Sequence, residues 1–145
     1  MDSYTSTNTD QAEPAEVVDS FFAAIEAGRI EDVIALLDPQ VSWEVPGDPS
    51  AVPWVGHRVG PEAVRDFYTC LLEETEREAF SFGPVLTENE LVLVPGNFAY
   101  RFPRTCGYYS GEFVIAFTVR EGRILRYQMH EDSFGLGVAY EGRGH

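Results

Sequence analysis

Residues 16–47 read EVVDSFFAAIEAGRIEDVIALLDPQVSWEVPG, and the period of their apolar side chains changes along the stretch. Val17, Val18, Phe21, Phe22 and Ile25 recur at helical spacing, and Gly28 follows where a helix end favours a residue free to take positive φ. A second, shorter helix carries Ile30, Val33, Ile34 and Leu37 on one face, and Pro39 prevents it from continuing. The two helices form a hairpin. Val41, Trp43 and Val45 then alternate with Ser42 and Glu44, the period of a half-buried strand that turns Trp43 inward and stops at Pro46.

Working outward, residues 46–60 hold Pro46, Gly47, Pro49, Pro53, Gly56 and Gly60, which suits an irregular loop lying over a cavity mouth. Pro61 occupies a favoured first helical position, and Val64, Phe67, Tyr68, Leu71 and Leu72 supply the inward stripe of a third helix. After Ala79 the texture becomes β-branched and aromatic: FSFGPVL, ELVLV, NFAYRF, YYSGEFVIAFTV and RILRYQMHED read as antiparallel strands, with Glu121-Gly122 a tight-turn signal of open register. Three N-terminal helices against a curved antiparallel sheet make an α+β architecture. Residues 1–12, rich in Ser, Thr, Asn and Asp, read as a disordered leader, 13–134 as one domain and 135–145 as a tail.

The chain has 145 residues, 44% of them hydrophobic, enough for one core. Its 10 basic and 24 acidic side chains give a net charge of −14, which repels phosphate backbones and anionic lipid. Nucleic acid and membrane are therefore not expected as partners. No basic cluster precedes an apolar run, so the cytoplasm is the expected location. Cys70 and Cys106 read as reduced thiols, and His57, His130 and His145 have no ligand partner at i+3 or i+4, so neither a structural metal nor a cofactor is expected.

The order of elements from about Glu13 to Phe134 resembles the SnoaL-like branch of the nuclear transport factor 2-like superfamily, which includes polyketide cyclases, ketosteroid isomerases and limonene-type epoxide hydrolases. The resemblance is carried by AAIEAG, by GHRVGPEAVRDFY at residues 56–68 and by REGRILRYQMHED at 120–132. It implies a cone-like fold with a deep apolar pocket, a small apolar or polyketide-like ligand and a homodimer. It also has departures. Phe21 stands where ketosteroid isomerases carry a tyrosine donor, Val45 where they carry their carboxylate base, and Met129 where epoxide hydrolases carry an Asp. Phenylalanine cannot donate to an oxyanion and valine cannot move a proton.

In cyclase-like relatives a carboxylate near the end of the last strand performs acid/base work, which points to Asp132 first and His130 second. Leu125, Tyr127 and Met129 form the more apolar face of that strand, so strict alternation sends His130 and Asp132 outward and Glu131 inward. Which face lines the pocket stays open at this point, and Asp132, His130 and Glu131 together form the candidate catalytic set. Trp43, Trp54, His57, Phe21, Phe67, Tyr100, Tyr127 and Met129 are the candidate substrate contacts, aromatic walls with a few polar groups. The leading expectation is a cofactor-free cyclase or isomerase acting on a hydrophobic, oxygenated metabolite. The alternatives are a non-catalytic binder of an apolar ligand and an epoxide hydrolase. An inward titratable side chain separates catalyst from binder.

Overall fold

Residues 13–141 are described by a computed structural model, and the first element starts where Pro14 presets the backbone of helix α1, Pro14–Ala27. Its far end closes at Gly28, φ 73°, with the Arg29 N–H donating to the Ala24 carbonyl at 2.9 Å. The leader at 1–12 lies outside the described residues.

Helix α2 spans Ile30–Ala35, shorter than the apolar spacing suggests, and Leu37 instead opens strand β1, Leu37–Val45. Pro39 therefore lies inside a strand. It is accommodated because the ladder to the last strand is irregular between Leu37 and Ser42, where a missing N–H leaves no ladder bond broken. The loop expected over 46–60 contains a short strand, β2, Gly56–Val59, antiparallel to β1. Its four residues are too few for a periodic signal amid so much Pro and Gly. Helix α3, Pro61–Glu74, buries Val64, Phe67 and Tyr68 as expected, whereas Leu72 is 66% exposed.

The remaining strands are β3, Glu76–Phe82; β4, Leu86–Glu88; β5, Leu91–Phe102; β6, Gly107–Arg120; and β7, Arg123–Glu131. ELVLV and NFAYRF are one strand rather than two, continuous through Pro95 and Gly96. Gly96 is required there, since a side chain would collide with the Phe113 ring and the Ser81 carbonyl. Glu121 and Gly122, with φ of 54° and 79°, make the two-residue turn that pairs Arg120 with Arg123. The sheet order is β2-β1-β7-β6-β5-β3, with β4 on β5; every pairing is antiparallel except β1 with β7.

The expected tail is helical for most of its length. Helix α4, Ser133–Glu141, buries Leu136 and Tyr140, and the Tyr140 hydroxyl donates to Glu74 Oε1 at 2.7 Å. Gly135 and Gly137 deny it a helical signature, and a helix this short is held by its tertiary contacts. Trp43 is fully buried and stacks on Tyr127 with centroids 3.7 Å apart, while Phe21 packs against both Phe117 and Tyr127. Helices α1 and α3 thus pack their buried residues towards the inner face of the curved sheet. Between them and the sheet a chamber remains.

Candidate functional site

The chamber is a cavity of about 490 Å³ between α1, α3 and the inner face of the sheet. Helical parity aims Phe21 and Ile25 of α1 and Phe67 and Tyr68 of α3 into it, and strand parity adds Phe98 and Tyr100 of β5 and Ile115 of β6. Trp54, between β1 and β2, and Leu136 of α4 complete the walls. Glu26, Gly28, Leu72 and Arg77 also line it and are exposed, so they mark its mouth.

Strand β7 contributes Tyr127, Met129 and Glu131 to the cavity, two residues apart and on one face. Glu131 is the acidic group of the chamber's interior. Its Oε1 is buried without a hydrogen-bond partner, and burial, with a smaller push from the negative charge of Asp132, raises its carboxyl from 4.5 to about 7. Three phenols share its surroundings. Desolvation keeps Tyr68 and Tyr127 neutral far above the ordinary range, and lifts Tyr100 to about 12 with help from the nearby Glu131 charge. Among the described residues none of these three hydroxyls makes a hydrogen bond within the protein, so each is free to serve a ligand oxygen.

The other two members of the candidate catalytic set lie elsewhere. Asp132 is exposed and caps α4, its Oδ1 accepting the Gly135 N–H at 2.9 Å. His130 is exposed on the opposite face of the sheet, beside Val114 in a shallow groove. The irregularity of β7 falls at Leu125, between Ile124 and Arg126, and alternation holds from Arg126 to the end of the strand, with no bulge to reverse it at His130 or Glu131. Of the expected contacts, Phe21, Trp54, Phe67, Tyr100, Tyr127 and Met129 line the cavity. Trp43 sits behind the wall, under Tyr127, with its indole N–H unpartnered among the described residues. His57 is exposed on β2, its Nε2 3.0 Å from Ser42 Oγ, and does not reach the chamber.

Tyr68, Arg77 and Leu136 belong to the site and were not among its expected residues. Tyr68 had a visible signal, its place in the inward stripe of α3. Arg77 sits in an edge strand without alternation, and Leu136 in a helix without periodicity, so neither had one. No group of three His, Cys, Asp or Glu that could hold a metal occurs among the described residues, and none of their helices is long and apolar enough to cross a membrane. The arrangement offers one proton-exchanging carboxyl and three neutral donors inside apolar walls, which suits holding a ligand oxygen while a proton moves.

Solved structures share this architecture. A nuclear transport factor 2-like protein from Burkholderia xenovorans is 26% identical with a TM-score of 0.77, covering 90% of this chain and 97% of its own. TerC, crystallised with polyporic acid, is 18% identical with a TM-score of 0.78, covering 88% and 98%. A candidate SnoaL-like polyketide cyclase from Mesorhizobium loti is 16% identical with a TM-score of 0.68, covering 82% and 99%. No sequence among the curated proteins matches the chain. The sequence profile of the SnoaL-like domain matches residues 18–127, and the chain belongs to that family, on a nuclear transport factor 2-like fold.

Proposed function

We propose that this protein is a cofactor-independent acid–base enzyme, a cyclase or isomerase, acting on a hydrophobic, oxygenated small molecule, with Glu131 as its proton carrier. The observation that carries the reading is the unpartnered Glu131 carboxyl, held near neutrality among the free hydroxyls of Tyr68, Tyr100 and Tyr127. A base is most effective when its pKa is close to the working pH. The ionised carboxylate takes a proton from carbon next to a ligand carbonyl. The phenols donate to the carbonyl oxygen as it gains charge, and the carboxylic acid returns the proton at the new position. A polycyclic ketone or quinone matches the aromatic walls of the cavity. The enzyme is further proposed to work as a homodimer.

A non-catalytic binder is the second reading. It is favoured by Phe21 and Val45, which line the cavity with inert side chains where ketosteroid isomerases place their donor and base. Epoxide hydrolysis would rest on Glu131 activating water. A panel of polycyclic ketones, quinones and epoxides, screened by tryptophan fluorescence and then for turnover, separates these readings. Glu131→Gln should keep binding and lose about 100-fold or more in turnover, and wild-type kcat/KM should rise with pH through about 7 as the base ionises. Ligands bound but never converted by the wild type would favour the binder, and conversion of epoxides alone the hydrolase.

A further inference from the structure

We infer that the ligand carries a carboxylate at its outer end and that Arg77, at the cavity mouth, receives it in exchange for Glu26. The inference rests on the small-molecule reading of the cavity and adds the charge and orientation of what enters. Arg77 is the cationic side chain of the cavity lining among the described residues. Its guanidinium lies over the Phe80 ring, 5.2 Å from the centroid, at the edge of the chamber. Its acidic partner is Glu26 of α1, reached through a single contact of 3.3 Å.

That contact spans the mouth from α1 to β3 and is weak. The side chains are 35% and 52% exposed, and an exposed ion pair of this kind contributes little. A guanidinium presents a fork that matches a carboxylate through two parallel bonds. A ligand carboxylate seated over Phe80 would be more desolvated than Glu26 and would use both arms. The interior sets the orientation. Glu131 is already the unpartnered acid there, so a second negative charge is disfavoured at depth and the ligand anion stays at the rim, its apolar body inward. Leu72, 66% exposed on the same rim, gives that body an apolar edge to cross. The net charge of −14 opposes anions at long range, but at physiological salt charges beyond about 8 Å are largely screened, so the local pair decides.

The test compares biphenylacetic acid with its methyl ester by calorimetric titration at pH 7, in the wild type, Arg77→Gln and Glu26→Gln. The acid should bind the wild type about tenfold tighter than the ester. Arg77→Gln should abolish that preference, bringing the affinity of the acid down to that of the ester or below it. Glu26→Gln, which frees the guanidinium, should tighten the acid severalfold, a gain that a merely structural ion pair would not give. Equal or tighter binding of the ester by the wild type, or weaker binding of the acid by Glu26→Gln, overturns the inference and leaves the cavity reading intact. Failure of both ligands while neutral polycycles bind also overturns the inference alone, and failure of every ligand removes the cavity reading with it.

Discussion

A carboxylate taken out of water without a partner is favoured only when protonated, and Glu131 is such a group, set in a cavity wall. Its carboxyl titrates near 7 in the folded chain against an ordinary 4.5. Between those pH values the folded state holds a proton that the unfolded state has released, so stability is greatest below about 4.5 and falls as pH rises towards about 7. The linked loss is on the order of 2 to 3 kcal/mol. Glu131→Gln removes it. Denaturant titrations should find the variant more stable than the wild type by about that amount at pH 8, with the difference vanishing near pH 4.5. An equal effect at both pH values would place the cause in packing and return Glu131 to an ordinary half-solvated site.

At the scale of elements, the junction of β7 and α4 assigns adjacent carboxylates to separate tasks, and Asp132 belongs to the helix. Its side chain accepts the Gly135 N–H and its carbonyl the Leu136 N–H, so Asp132→Ala should cost about 1 kcal/mol in thermal unfolding. Ligand affinity and turnover should stay within about twofold of wild type. A loss of turnover larger than the loss of stability explains would restore Asp132 to the chemistry. The division was half legible in the sequence: alternation along RYQMHED placed Glu131 inward, while the resemblance to cyclases drew attention to its neighbour. Helix α1 with its Gly28 end, the start of α3 at Pro61 and the Glu121-Gly122 turn were readable because each rests on local chemistry. Strand β2, the continuity of β5 through Pro95 and helix α4 were not, because each is fixed by a partner distant in sequence. The same holds for the site. Tyr68 could be found from its own stripe, whereas Arg77 matters only because α1 brings Glu26 across from it.

For the whole molecule, charge is the property on which fold and assembly compete. All ten basic residues are arginines, against 24 acids. Arg29, Arg65, Arg77, Arg101, Arg104 and Arg120 are each held by a carboxylate, Arg120 with two contacts to Glu90 at 3.0 Å. Salt weakens these pairs and also the mutual repulsion of the remaining acids, so the sign of its effect shows which is larger. Exposed pairs contribute a few tenths of a kcal/mol each and act over a few ångströms, whereas the excess of acids repels over the full screening length. Raising salt from about 0.01 to 0.1 M shortens that length from about 30 to 10 Å. Repulsion should therefore be the term that changes most, and the melting temperature should rise by a few degrees over this range. The proposed homodimer brings two chains of net charge −14 together, so light scattering after size exclusion should show more dimer as salt is added. A melting temperature that falls instead would mean that the arginine pairs outweigh the net charge. A mass that stays monomeric at both salts would remove the homodimer.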